Sequence, residues 1–289
     1  MKISTEIGSL LKQRPTKEAL DIVKNAGFDC ADFSFSALPK TTLTDLSEEL
    51  ETYRDLRRYS DEIGLPFNQA HAPFASSTGD PDEDATIFER IKNSIILSCI
   101  LGIKHVIVHP KQHLSYRYNE AVLREMNFDF YNALRPYAQE AGVKIAIENM
   151  WKYNPAHTHI DHSVCSRIEE HIEYVDMLDS PVFVACLDIG HCALVGEDPA
   201  ESIRRLGHDR LHALHVHDVD FVNDTHTLPG CSKLDFKPVM HALHDIDYDG
   251  ELTLEACYFL RGFEPEFHPE AVAFMAKRAR FLADMKFED

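Results

Sequence analysis

The chain lacks the features that mark membrane, secreted and nucleic-acid-binding proteins. No apolar run approaches the roughly 20 residues that span a bilayer, and the N-terminus, MKISTEIGSLLKQRP, has no basic segment followed by an apolar one. The seven cysteines include no C-x-x-C pair, which favours reduced thiols in a cytoplasmic protein. Basic residues are scarce: 29 Lys and Arg against 48 Asp and Glu give a net charge of −19, and such a surface repels nucleic acid and anionic membranes.

The composition is otherwise that of a globular enzyme, except for one residue type. Of 289 residues, 44% are hydrophobic and 27% charged, which excludes a disordered or low-complexity chain. No linker or change of composition divides residues 1–289, so we expect one domain. Histidine is unusually frequent, with 17 residues, and the positions of these histidines carry most of the functional argument.

Glycines divide the first half of the chain into repeated units. Gly27, Gly64, Gly102 and Gly142 are 37, 38 and 40 residues apart, and each follows an amphipathic stretch and precedes a short apolar run. Glycine just past a helix is the usual left-handed terminator, and a short apolar run reads as a buried strand. We therefore predict helix–strand units here, with Asp45 as N-cap of the helix before Gly64.

The same alternation continues to the C-terminus. Predicted helices at about 166–178, up to about 207 and after Asp235 lead into VFVACLDIGH, LHALHVHD and ELTLEACY, and a last helix runs from about His268 to the end. With MKISTE as the first strand, the chain contains eight strands that alternate with helices. This pattern predicts an α/β fold, a single-domain (β/α)8 TIM barrel. A Rossmann fold would need a glycine-rich turn after the first strand, which is missing.

Acidic and imidazole side chains follow six consecutive predicted strands. In a barrel the active site lies at the C-terminal strand ends, and these ends, with the loops that follow, carry His71, His109, Glu148, Asp188, His191, His215, His217, Asp218, Asp224, His226 and Glu255. Such convergence is what a divalent metal site requires. Glu148 and Glu255 end the apolar runs KIAIE and LTLE, so each buried carboxylate must be paired, protonated or bound to a cation.

Other candidate residues receive less specific interpretations. His157, His159 and His162 lie in the polar loop after strand five, which we interpret as a lid or substrate loop. His212, His241 and His244 are expected at the surface or behind the site, and the cysteines are expected to be structural.

Several segments together resemble the xylose isomerase-like TIM barrels, over nearly the whole chain. They are HAPF at 71, VIVHP at 105–110, IAIEN at 145–149, LDIGH at 187–191, LHVHD at 214–218, DTHTLPG at 224–230 and LTLE at 252–255. That superfamily groups sugar (phosphate) isomerases and epimerases with endonuclease-IV-type abasic-site nucleases. In the first branch, the resemblance implies one divalent metal held by Glu148, Asp188, His215 and Glu255, with His191 contacting the substrate. In the nuclease branch it implies three zinc ions on nine positions, which here are His71, His109, Glu148, Asp188, His191, His215, Asp224, His226 and Glu255.

Charge separates the two branches. The net charge and the acidic segment APFASSTGDPDED after His71 are unfavourable for contact with DNA phosphates.

The segment ENMWKYN after strand five departs from the N-R-x-E element of ketose 3-epimerases, so sugar-acid, inositol-type and phosphorylated substrates stay open. Trp151, Lys152, Lys111 and Arg261 are candidate substrate contacts. Either His215 or His217 satisfies the H-x-x-D pattern, and we favour His215 because it directly follows the apolar strand.

We therefore predict a sugar, sugar-phosphate or polyol-type isomerase or epimerase that depends on Mn²⁺, Mg²⁺, Co²⁺ or Zn²⁺. Glu148 and Glu255 would transfer a proton through an enediolate. The alternatives are an endonuclease-IV-like zinc-dependent nuclease and a lyase or dehydratase on the same barrel. The expected partner is a small sugar-like molecule, with neither nucleic acid nor membrane, in a cytoplasmic protein. A homo-oligomer is compatible with the sequence.

Overall fold

The computed structural model describes residues 1–154 and 156–287, apart from the side chain of Glu48. Its strands are β1 (Ile3–Thr5), β2 (Ala31–Ser34), β3 (Phe67–His71), β4 (His105–Val108), β5 (Lys144–Glu148), β6 (Trp151–Tyr153), β7 (Ile160–His162), β8 (Phe183–Asp188), β9 (Leu211–His215) and β10 (Leu252–Leu254). Its α-helices are α1 (Gly8–Leu11), α2 (Thr16–Ala26), α3 (Leu46–Ile63), α4 (Pro81–Leu101), α5 (Tyr116–Ala141), α6 (Ile168–Met177), α7 (Ile189–Leu194), α8 (Pro199–Arg210), α9 (Phe236–Asp245) and α10 (His268–Ala283). Short 3₁₀ turns occupy Phe35–Ala37, Phe259–Gly262 and Pro265–Phe267.

Eight parallel strands close into a barrel. Six of them pair in the order β2-β3-β4-β5-β8-β9, and β1 pairs with β10. Parallel bridges between Glu6 and Asp32 and between Val216 and Leu254 join the two sets. The predicted (β/α)8 barrel is therefore confirmed.

Helix ends follow the signals in the sequence. Gly27, Gly64, Gly102 and Gly142 each cap a helix in the left-handed conformation, with φ between 65° and 97°. The carboxylate of Asp45 accepts a hydrogen bond from the backbone N–H of Ser47 (2.9 Å) at the start of α3. These caps end each helix so that the chain turns directly into the next strand.

Three local features differ from the sequence analysis. The segment after strand five contains an antiparallel hairpin, β6–β7, because its short strands are too brief to show a periodic pattern. Helix α7 follows β8 directly, with the Asp188 side chain as its cap. Helix α10 ends at Ala283, several residues before the C-terminus.

The acidic segment after His71 has a structural role at the start of α4. Asp80 accepts hydrogen bonds from the N–H groups of residues 82 and 83, both at 3.0 Å. Three further acidic residues occupy the first turn, where negative charge is favourable.

In the described part of the chain the core has three parts, of which the smallest contains Ala193, Leu194 and Val219. The largest part lies between the strands and the surrounding helices. A small one, which contains Ile107, Ala146, Val184, Cys186 and Ala213, is contributed by β4, β5, β8 and β9. None of the helices in the described part of the chain combines the length and the apolar character that crossing a bilayer requires.

Candidate metal centre

The carboxyl ends of the strands bring the predicted side chains to one mouth of the barrel. The side chains of Glu148, Asp188, His215 and His217 are fully buried there. Burying ionisable groups away from water is expensive unless they are paired or bound to a cation. Their arrangement therefore requires an explanation beyond packing.

A central group is formed by Glu148, Asp188, His215 and Glu255. Each residue offers one ligand atom, and these four atoms lie within 4.8 Å of one another. Nδ1 of His215 is 2.9 Å from Oε1 of Glu148 and 3.4 Å from Oε2 of Glu255. Three carboxylates with one imidazole suit Zn²⁺, Mn²⁺ or Mg²⁺.

A second group, the His71 group, shares Glu148 with the central group and adds His71 and His109. Nε2 of His109 lies 2.7 Å from Oε2 of Glu148, and the Nε2 atoms of His71 and His109 are 3.0 Å apart. The carboxylate of Glu148 thus lies between the imidazoles of His71 and His109 on one side and that of His215 on the other.

A third group, the His191 group, contains His191, His217, Asp224 and His226. His191 comes from α7, His217 from the segment just after β9, and Asp224 and His226 from the loop that follows. Nε2 of His226 is 2.8 Å from Oδ2 of Asp224, and Nε2 of His217 is 3.0 Å from Oδ1 of Asp188. The two histidines of LHVHD therefore occupy different places: His215 lies in the central group and His217 in the His191 group.

Backbone carbonyls orient three of the imidazoles. Nδ1 of His71 donates to the carbonyl of Ala72 (2.8 Å), and Nδ1 of His191 donates to that of Asn149 (3.0 Å). Nδ1 of His226 donates to the carbonyl of Glu255 (3.0 Å). Because a carbonyl oxygen only accepts, Nδ1 of each ring carries a proton, and Nε2 is the nitrogen that faces the groups and can bind a metal ion once it has lost its own proton.

Two residues outside the predicted ligand sets, Asn149 and Asp218, fix the geometry of the mouth. Asn149 exchanges two hydrogen bonds with the backbone of Asp188, at 2.7 and 3.0 Å, and so ties β5 to β8. The buried carboxylate of Asp218 accepts four backbone N–H groups, each at 2.9 Å, from residues 219, 230, 232 and 234. Asp218 therefore fixes the loop that carries Asp224 and His226.

Two acidic residues that the sequence analysis did not name, Asp32 and Glu6, lie on β2 and directly after β1. Asp32 on β2 is fully buried, and its Oδ2 is 3.5 Å from Nε2 of His215 and 2.9 Å from the Gln69 amide that donates to it. Glu6 follows β1, and burial, together with the charges of Asp32 and Glu255, raises its pKa to about 7. The sequence signal that could have identified Asp32 and Glu6 is their position within or directly after an apolar strand.

The electrostatics of the mouth favour charged groups in mutual contact. Burial raises the pKa of Glu148, but His215 and His109 outweigh it and hold that pKa well below the usual range. Burial likewise opposes ionisation of Asp188, yet His191 and His217 lower its pKa to about 2. These carboxylates are therefore ionised at neutral pH.

The imidazoles show the complementary shifts. Burial alone would lower the pKa of His191, but Asp188 and Asp224 raise it to about 10. Burial also opposes protonation of His226, whose pKa the charge of Glu255 and the hydrogen bond to Asp224 raise well above its ordinary value. Positive charge is thus strongly stabilised at this mouth.

The residues present fit divalent cations. Within residues 1–154 and 156–287, the buried Oδ1 of Asp224 meets no hydrogen-bond donor, although Asp224 belongs to the His191 group. A cation would satisfy this oxygen, and the mixed imidazole and carboxylate donors match the ligands that Zn²⁺ and Mn²⁺ accept.

The mouth opens into a cavity of about 930 Å³, a size typical of small-molecule sites. Its inner wall is formed by members of the three groups, which are His71, His109, Glu148, His191, Asp224, His226 and Glu255. Its outer wall includes Trp151 and Lys152 of β6 with His157 and His162 of the hairpin. His159 is exposed.

The candidate substrate contacts divide into two sets. Trp151 lines the cavity and donates to Asp224 (3.2 Å). Lys152 also lines the cavity, but its Nζ donates to the carbonyls of Gln112 and Leu114. Its ammonium group therefore stabilises the segment after β4. Lys111 and Arg261 are not brought into the cavity wall: their cations lie over the rings of Phe130 and Tyr258.

The remaining predicted positions lie away from the three groups. His212 pairs with His105 at the opposite end of the strands, with ring centroids 5.4 Å apart. His241 and His244 lie on α9 beside Phe287. Four of the seven cysteines are buried, and none forms a disulfide in the described part of the chain.

Comparison with known proteins places these observations in a family. The chain is 25% identical over 274 residues to inosose dehydratase from Geobacillus kaustophilus, covering 88% of this chain and 75% of that one. It is 24% identical over 249 residues to D-psicose 3-epimerase from Enterocloster bolteae, covering 83% and 76%. A crystal structure of IolI protein with a bound zinc atom superposes with a TM-score of 0.73 at 20% identity, over 98% of this chain and 96% of that chain. The family model for xylose isomerase-like TIM barrels matches residues 20–278, so the chain belongs to that family.

Proposed function

We propose that the protein is a metal-dependent isomerase or epimerase that acts on a sugar or a sugar-like polyol. The observation that carries this proposal is the pair Glu148 and Glu255. Both carboxylates line the cavity, and one oxygen of each lies within 4.8 Å of the other in the central group. The relatives named D-psicose 3-epimerase and inosose dehydratase support a sugar-like substrate.

The two glutamates come from different sides of the barrel. Strands β5 and β10 are separated by β8 and β9, so a substrate carbon between them is approached from two directions. One carboxylate removes the proton from the carbon next to a carbonyl, and the other returns a proton. Return to the opposite face of the same carbon gives an epimer, and return to the neighbouring carbon gives an isomer.

Glu148, Asp188, His215 and Glu255 would hold the cation. When bound, a divalent ion supplies a Lewis acid that stabilises negative charge developing on the substrate oxygen, by several kcal/mol. His191, Trp151 and His109 line the cavity beside these residues, where they can orient hydroxyl groups and exclude water from the reacting carbon.

The test is solvent deuterium incorporation. Wild-type protein loaded with Mn²⁺ or Zn²⁺ is incubated in D₂O with D-fructose, D-psicose and a panel of sugar acids, inososes and sugar phosphates, and products are followed by NMR. Proton transfer by a glutamate places deuterium at the carbon whose configuration or oxidation level changes. Turnover without solvent label would exclude this mechanism, and no turnover across the panel would contradict the sugar assignment.

One observation favours a second candidate, a hydrolase of phosphoesters with three metal ions. The His71 and His191 groups flank the central group and supply ligands for two further cations, which one-metal proton transfer does not need. Neighbouring metal ions stabilise the attacking and leaving oxygens of a phosphoester displacement.

Metal content separates the two candidates. After gentle purification, or reconstitution with limiting Zn²⁺, elemental analysis of one ion per chain supports the isomerase. Three ions per chain, together with cleavage of an abasic-site oligonucleotide or a simple phosphodiester, supports the hydrolase. The net charge of −19 favours small esters over duplex DNA.

A further inference from the structure

Exposed phenylalanines are concentrated on one side of the barrel. Six phenylalanines in the described part of the chain are exposed, and four of them lie between residues 263 and 281. Phe267, Phe274 and Phe281 have 52%, 54% and 59% of their surface exposed. An aromatic side chain carries a large apolar area, and a contiguous row of them on a surface marks an interaction site.

The three residues form one stripe along α10. They are seven residues apart, and seven residues return to within about 20° of the same face of a helix. Phe267 immediately precedes α10 and already has helical backbone angles. The opposite face of α10, which includes Val272, Met275 and Ala279, is buried against the barrel. The stripe therefore faces outward along the whole helix.

The charges beside the stripe are arranged for pairing with a copy of itself. Glu270 lies four residues before Phe274 and Lys277 three residues after it, on the same flank of the stripe, and both are exposed. A two-fold axis at Phe274 makes the two helices antiparallel. It places Phe274 against its equivalent, Phe267 against Phe281, and Glu270 beside Lys277 of the other copy, twice.

We propose that α10 is the contact surface of a homodimer, with the Phe267–Phe274–Phe281 stripe at its centre. A second copy fits because the surface is complementary to itself, as a two-fold interface requires. One helix face buries less than the roughly 1,600 Å² of a standard interface. We therefore expect a reversible dimer whose population rises with protein concentration.

This surface adjoins the loop of the His191 group. The Nε of Arg278, on α10, donates to the carbonyl of Pro229 (2.7 Å), and its guanidinium lies over the ring of Phe281. Phe274 also contacts Phe259 in the segment after β10, with ring centroids 6.3 Å apart. A second copy packed on the stripe would therefore contact side chains that also touch the segments at the mouth of the barrel.

Sedimentation velocity over a range of micromolar concentrations tests the proposal. Wild-type protein should shift from monomer to dimer, and Phe274→Ser should stay monomeric at every concentration. The control Met177→Ser replaces an equally exposed apolar side chain on α6, and it should dimerise like wild type. Circular dichroism and melting curves verify that each variant is folded.

Charge reversal tests the antiparallel arrangement itself. Glu270→Lys and Lys277→Glu should each weaken dimerisation by about tenfold or more, and the double variant should restore it, because each new pair is again of opposite sign. A wild type that stays monomeric throughout would overturn the proposal, as would a dimer that tolerates Phe274→Ser. Failure of the double variant to restore dimerisation would exclude this pairing.

Discussion

The imidazole rings of His217 and His226 lie face to face, with centroids 4.0 Å apart and planes within 16° of parallel. His217 follows a barrel strand, whereas His226 belongs to the long loop after it. The stack therefore fastens the loop onto the barrel at the point where both rings face Asp224. The His191 group depends on the position of this loop, which leads to the first two predictions.

Replacing Asp218 by Asn should loosen the loop. The amide keeps the shape of the side chain but loses the charge that four backbone N–H groups share, at an expected cost of about 2–4 kcal/mol in the free energy of unfolding. We expect a lower melting temperature and weaker Zn²⁺ binding. The matched control is Asp220→Asn, which removes a carboxylate that binds only its own turn. Equal effects of the two substitutions would contradict the role given to Asp218.

Gly190→Ala, in α7, should disturb the His191 group by displacing His217. A Cβ at this position would collide with the imidazole of His217, which must then leave its place beside Asp188. We expect destabilisation by about 1–3 kcal/mol and loss of Zn²⁺ affinity, measured by calorimetry. Gly262→Ala is the control, because a Cβ there meets nothing within 4 Å. Unchanged metal binding in Gly190→Ala would show that His217 is not needed.

Glu255→Gln should lower turnover by about 10²–10⁴-fold, the range for loss of a general acid or base. Glu148→Gln should be at least as severe, because Glu148 is fully buried between His109 and His215 and its loss also reduces metal content. The control Glu120→Gln alters a carboxylate on the cavity wall outside the groups. Near wild-type kcat in Glu255→Gln would remove this residue from the mechanism.

Glu6 should make the stability of the metal-free protein depend on pH. Its pKa of about 7 in the folded state exceeds the ordinary value of 4.5, so the folded protein binds the proton more tightly. The contribution of Glu6 to the free energy of unfolding is therefore fully present below pH 4.5. It is lost as the pH rises through 7, by up to about 3 kcal/mol. Glu6→Gln removes this loss, so it should exceed wild type in urea unfolding at pH 8 and equal it near pH 4. Parallel pH profiles for both proteins would disprove the assignment.

The fold could be predicted from the sequence because each helix–strand unit carries its own start and stop signals. Glycine caps such as Gly64 and N-caps such as Asp45 are local signals, and eight alternating units leave few architectures other than a barrel. The β6–β7 hairpin escaped prediction because three-residue strands show no period, and helix α7 because a six-residue helix shows hardly more.

The candidate site was predictable to the extent that its residues follow apolar strands. Glu148 and Glu255 could be recognised in this way, and so could His71 and His109. The sequence does not give distances, so it could not show that His215 and His217 enter different groups, nor that Lys111 lies against Phe130 instead of the cavity. Asp32 could not be assigned, since its partners Gln69 and His215 lie far along the chain. Asp218 could not be assigned either, since its partners are backbone groups of an irregular loop.

Asp218 also has an evolutionary consequence. The loop that supplies Asp224 and His226 is held on the barrel by a few side chains, Asp218 among them, whereas the central group is built on the strands themselves. Insertion, deletion or exchange of that loop would change how many ions the mouth can hold while leaving β5, β8 and β10 intact. A single ancestral barrel could thus diversify between one-ion and several-ion chemistry by altering one surface segment, and the same exchange offers a practical route to redesign.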